Sequence, residues 1–119
     1  MPGAIGSQSA GQQGPLVELL ITSNCPHRGA ALALVERVCG QLGGDVEIRV
    51  VEVADQQAAE QARFLGSPTI RDSRDIEPGA ERNYEYVHGC RLYQGEHSLR
   101  GLPEEAWLRQ ALPNPQVRP

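Results

Sequence analysis

The residues best suited to chemistry are the cysteines Cys25, Cys39 and Cys90, and the first of them stands at a junction. In "VELLITSNCPHRGAALALVERV", residues 17 to 38, an apolar run stops at Ser23-Asn24, Cys25 follows, and a helical pattern begins at once. A cysteine acts as a nucleophile or soft-metal ligand only as a thiolate. A helix N-terminus favours that form through its unpaired N–H groups and partial positive charge. His27 and Arg28 add basic groups within one turn, and Pro26 suits a first helical position, where no N–H is needed. The same corner also suits a small side chain that only fills space.

The other two thiols read differently. Cys39 lies on the apolar stripe of the first helix and reads as a small buried hydrophobe. Cys90, between "HG" and "RLY", leaves two readings open: a resolving thiol that reaches Cys25, or a strand residue that faces the core. Cys25 and Cys90 together would also suit a soft ion such as Hg²⁺. Without C-x-x-C or histidines at finger spacing, a structural zinc site is not expected. Neither a phosphate-cradling glycine loop nor a Ser/His/Asp signature is present, and no cofactor is expected. Tyr84, Tyr86 and Tyr93 read as packing residues, and Glu77, Glu81 and Glu85 as solvated surface.

The elements that must position these residues follow from periodicity. "LVELLIT", residues 16 to 22, reads as a strand buried on both faces. Ala31, Val35, Val38 and Leu42, with Leu34 and Cys39 beside them, form the stripe of a helix over 28 to 42, ended by Gly40, Gly43 and Gly44. "VEIRVVEV" at 46 to 53 is a second strand. Asp55 caps a short helix over 56 to 65 that Gly66 ends. "SPTIR" at 67 to 71 starts a third strand at a proline, and "DSRD" turns toward a return strand near Ile76. Residues 77 to 101 are rich in turn formers, with 90 to 93 as a candidate strand; Pro103 opens a last helix carrying Trp107, Leu108, Ala111 and Leu112. Strand–helix–strand implies a parallel pair, and the later return an antiparallel addition. The fold class is therefore α/β, a central mixed sheet of about four strands flanked by helices.

This order, the cysteine after the first strand and "GSPTI" after the second helix resemble the thioredoxin superfamily. More narrowly, "NCPH", "RFLGSPTIR", "IEPGAE" and "CRLY" are similar to small bacterial thioredoxin-like proteins, some labelled alkylmercury-lyase-like. The resemblance covers roughly 16 to 76 and 102 to 112, with 77 to 101 an insertion or a rebuilt edge. It implies Cys25 as the nucleophile and a cis-proline at Pro68. It also implies that Ser67, between Gly66 and Pro68, offers its backbone to a substrate segment, with Thr69 following. The second cysteine of the family motif is Arg28 here, so the implied exchange runs on a single thiol, with protein thiols or glutathione as partners.

The bulk numbers bound this reading. At 119 residues the chain is long enough for one core without staples: a domain is expected over 16–112, with tails at 1–15 and 113–119. A net charge of -4 and 4% aromatics argue against nucleic acid and against an anionic membrane surface. No apolar run approaches the ~20 residues that span a bilayer, and the start does not read as a signal peptide. The expected location is the cytoplasm, where three cysteines, an odd number, stay reduced.

Overall fold

The computed structural model describes residues 16–42, 46–94 and 99–112. The expected tails at 1–15 and 113–119 and the helix-ending Gly43 and Gly44 lie outside the described residues. The elements are β1 (Leu16–Ile21), α1 (Arg28–Leu42), β2 (Glu47–Glu52), α2 (Gln56–Gln61), β3 (Thr69–Arg71), a 3-10 turn at Ala80–Arg82, β4 (Tyr93–Gln94), β5 (Leu99–Arg100) and α3 (Glu105–Ala111). None of the described helices is long and apolar enough to cross a membrane.

The central sheet is mixed, in the order β2-β1-β3. β1 runs parallel to β2, with Leu16 opposite Glu47, and antiparallel to β3, with Glu18 opposite Arg71. The alternation of β1 divides the core. Val17, Leu19 and Ile21 pack with Ala31, Val35 and Val38 of α1, Ile70 of β3, and Leu108 and Leu112 around α3. Leu20 faces the other way, onto Val53, Ala59 and Phe64 beside α2. Helices α1 and α3 thus cover one face and α2 the other. That accounts for a β1 sequence with only one charge, Glu18, which is neutralised across the ladder by Arg71 at 3.1 Å. β2 is an edge strand, and Glu47, Arg49 and Glu52 along it discourage further pairing.

The expected central sheet of about four strands has three among the described residues. The outer side of β3 is instead covered in two pieces. Past the "DSRD" turn, Asp75 bridges Arg71, and the Ile76 N–H donates to the Ile70 carbonyl at 3.1 Å. The chain then leaves, and Cys90 returns to form a single parallel bridge with Ser67. Residues 90 to 93 do not make one strand in this sheet, because Tyr93 enters a separate hairpin, β4 with β5.

Two boundaries also differ. Helix α2 starts as expected, with Asp55 Oδ1 accepting the Ala58 N–H at 2.8 Å. It ends at Gln61 rather than 65, because Arg63 turns left-handed (φ 54) and Phe64 N–H closes back on the Ala59 carbonyl. That is a helix-ending motif usually built on glycine. Pro103 does not open α3: it lies before Glu104, whose carbonyl accepts the first N–H, from Trp107.

Candidate thiol site

Cys25 stands in the turn between β1 and α1, where the local chain has spent its backbone groups. Its N–H donates to Thr22 O at 3.2 Å and its carbonyl accepts the Arg28 N–H at 3.3 Å. Only 8% of the residue is exposed, and it belongs to the cluster that holds Ile21, Ala31 and Ile70. The thiol is free, and its sulfur makes no hydrogen bond among the described residues. Pro26 is exposed. His27 packs its ring over Gly101, where a Cβ would overlap it, so the glycine is what lets the ring lie there. Arg28 is exposed and reaches Glu52 at 4.0 Å.

The Ser67–Pro68 bond is cis. Ser67 is buried, and its Oγ accepts the Thr22 N–H at 3.0 Å, which ties this corner to the segment that leads into Cys25. The Ser67 backbone, expected to be open to a substrate segment, is taken by the chain itself. Its N–H donates to Gly89 O at 2.7 Å, and its carbonyl accepts the Arg91 N–H at 3.0 Å. Gly66 permits that approach: at φ 118, a Cβ there would lie 2.8 Å from the Arg91 Cβ. Thr69 is buried, donates its hydroxyl to Gly66 O at 2.7 Å and accepts from the Arg91 guanidinium at 2.9 Å.

Cys90 sits beside Ser67 but is exposed, and Leu92, two residues on, is 64% exposed; Arg91 and Tyr93 take the inward positions between and after them. Of the two readings left open for Cys90, the core-facing strand residue is thereby corrected. Cys39 is buried as expected, and burial pushes its thiol pKa up. Among the described residues no three His, Cys, Asp or Glu side chains gather as a metal site.

Sequence reasoning missed the group that fastens the return segment. Arg91, 6% exposed, forks onto Asp75 at 2.7 and 3.0 Å, reaches Glu77 at 2.7 Å and lies 4.2 Å above the Tyr93 ring. Burial alone would depress the arginine pKa, but the hydrogen bonds it donates to Asp75 and Glu77 and the nearby negative charge outweigh it and raise it. Tyr93, fully buried, donates its hydroxyl to the Pro68 carbonyl, and burial pushes its phenol pKa up. Glu77 is thus an ion-pair partner rather than solvated surface. Tyr84, read as packing, is 71% exposed. The sequence signal for Arg91 is its phase: in an alternating segment it shares the inward parity of Tyr93.

No protein-family model, curated protein or solved structure matches the chain.

Proposed function

We propose that this chain is a thioredoxin-like, cytoplasmic single-thiol protein that exchanges disulfides through Cys25. The observation that supports it best is the Thr22–Ser67 hydrogen bond at 3.0 Å, which joins the cysteine-bearing turn to the Ser67–Pro68 corner. Cys25 also leads straight into the N-terminus of α1, where the helix's first N–H groups and partial positive charge are what an attacking thiolate calls for.

In the proposed step the Cys25 thiolate attacks one sulfur of a disulfide RSSR. A Cys25–S–S–R bond forms, the S–S bond of RSSR breaks, and RS⁻ leaves with the electron pair. A second free thiolate then attacks the Cys25 adduct, restores the Cys25 thiolate and carries R away as a new disulfide. Because Gly89 and Arg91 occupy the Ser67 backbone, a glutathione-sized disulfide fits this reading better than an extended peptide that must pair there.

The test is the rate of exchange with glutathione disulfide in wild type, Cys25→Ser, Cys39→Ser and Cys90→Ser. Loss in Cys25→Ser alone supports the single-thiol reading. Equal loss in Cys90→Ser would make Cys90 the resolving thiol, and full activity in Cys25→Ser would end the proposal.

A further inference from the structure

Every basic residue of this chain that carries a fixed charge is an arginine; the sequence contains no lysine. Most of the described guanidinium groups are matched to carboxylates: Arg28 to Glu52, Arg37 and Arg109 to Glu105, Arg49 to Glu47, Arg71 to Glu18, and Arg91 to Asp75 and Glu77. Arg63, Arg74 and Arg82 form no ion pair among the described residues, although Asp72 feels the charge of Arg74. Two of these three, Arg63 and Arg74, line one cleft of about 190 Å³, together with Arg71.

The rest of the lining is rich in donors. The Ser73 and Tyr86 hydroxyls make no hydrogen bond among the described residues. Asn83 also lines the cleft and accepts the Glu85 N–H on its Oδ1, which leaves its amide NH₂ to donate. Arg63 (φ 54) and Ser73 (φ 98) are the non-glycine residues with positive φ among those described, and both lie on this lining. Glycine would fit either backbone position at less cost. The fold keeps a guanidinium at one and a hydroxyl at the other.

The charges on the lining are uneven. The lining itself carries three arginines, Arg63, Arg71 and Arg74, against two carboxylates, Asp75 and Glu81. Arg71 is paired with Glu18, Asp75 shares Arg91 with Glu77, and Asp72 lies near Arg74, so Arg63 and Arg74 are the lining guanidiniums that form no ion pair among the described residues. We infer that this cleft binds a small phosphate monoester, with Arg63 and Arg74 on its oxygens and its organic part against Leu65 and Ala80. A phosphate carries close to two negative charges at pH 7 and three acceptor oxygens, which suits two unpaired arginines and several neutral donors better than a carboxylate does. The volume lies below the ~300–1,000 Å³ of drug-sized sites, so the ligand is small. This inference is independent of the thiol reading.

The test is calorimetric titration of the full chain with phenyl phosphate. One-site binding is expected in wild type, weakened about tenfold or more in Arg63→Gln/Arg74→Gln, unchanged in Arg82→Gln and tightened in Glu81→Gln. Arg63→Gly, which relieves the left-handed backbone, should fold at least as well and still bind more weakly. No heat of binding in wild type would overturn the site. So would equal weakening in Arg82→Gln, which would mark the effect as general surface charge, or undiminished binding in Arg63→Gly.

Discussion

Tyr93 donates its phenol hydrogen to the carbonyl oxygen of Pro68, joining the segment after Cys90 to the proline at the start of β3. Two residues earlier, the Arg91 N–H donates to Ser67 O, and the Arg91 side chain reaches Thr69, Asp75 and Glu77. One five-residue stretch, 89 to 93, therefore holds Ser67, Pro68 and Thr69 from the side away from β1.

Removing the cation at the middle of this arrangement should be severe. Arg91→Met leaves Asp75 and Glu77 without their partner in a setting where the Arg91 side chain is 5% exposed. The expected cost is about 3–5 kcal/mol, the range for breaking one side of a buried pair. Arg91→Lys keeps the charge but not the two-pronged contact with Asp75, and should cost about 1.5–3 kcal/mol. Urea denaturation measures both; a change below 1 kcal/mol in Arg91→Met would contradict the role (a threshold of about one ordinary hydrogen bond).

Tyr93 gives the chain an alkaline limit. Burial raises its pKa in the folded state above the ordinary value of about 10. Above pH ~10 the unfolded chain releases this proton while the folded chain holds it, so stability is fully present below that pH and falls as pH rises through it. Cys39, also raised by burial, acts in the same direction from the thiol range upward. Melting temperatures from pH 8 to about 11 should fall steeply in wild type and less in Tyr93→Phe. At neutral pH Tyr93→Phe should itself cost about 1–3 kcal/mol, since the Pro68 carbonyl loses its donor. A wild-type slope that Tyr93→Phe leaves intact would place the titrating group elsewhere.

Glycines should respond by position. Gly66→Ala meets both a positive φ of 118 and a Cβ 2.8 Å from the Arg91 Cβ, and should destabilise by at least about 1–3 kcal/mol. Gly40→Ala, within α1 with nothing near its Cβ, should stabilise by about 0.5–1 kcal/mol. Thermal melts of the two variants moving in the same direction would contradict the placement of residues 89 to 91 against Gly66.

The periodic parts of this chain were legible. The stripe Ala31, Leu34, Val35, Val38 and Cys39 is buried, and β1 is buried on both faces, since helical and strand repeats record local burial directly. The Asp55 cap and the cis bond at Pro68 were legible from motifs. Residues 77 to 101 were not, because what fastens them is long-range. The Arg91 partners lie 14 to 22 residues away, and the Ser67–Cys90 bridge is one pair without a repeat to announce it. Gly66 misled for a related reason: it marks a close approach of distant backbone, while Arg63 supplies the left-handed turn that ends α2. Cys25 was legible as a junction residue, but its burial to 8% and the self-occupied Ser67 backbone depend on the folded chain.

The thiol reading is tested most directly by competition among the three cysteines, two of them buried and one exposed. Wild-type protein is mixed with limiting glutathione disulfide, quenched over time, and the adducts on Cys25, Cys39 and Cys90 are quantified by peptide mass spectrometry. Exposure alone orders them with Cys90 first and the two buried thiols behind it. If Cys25 is the exchanging thiol, its adduct should form about tenfold or more faster than the Cys90 adduct, with Cys39 slowest. Adducts that appear on Cys90 first, with Cys25 as slow as Cys39, would make Cys25 a packing residue of the β1–α1 corner and contradict the proposed exchange.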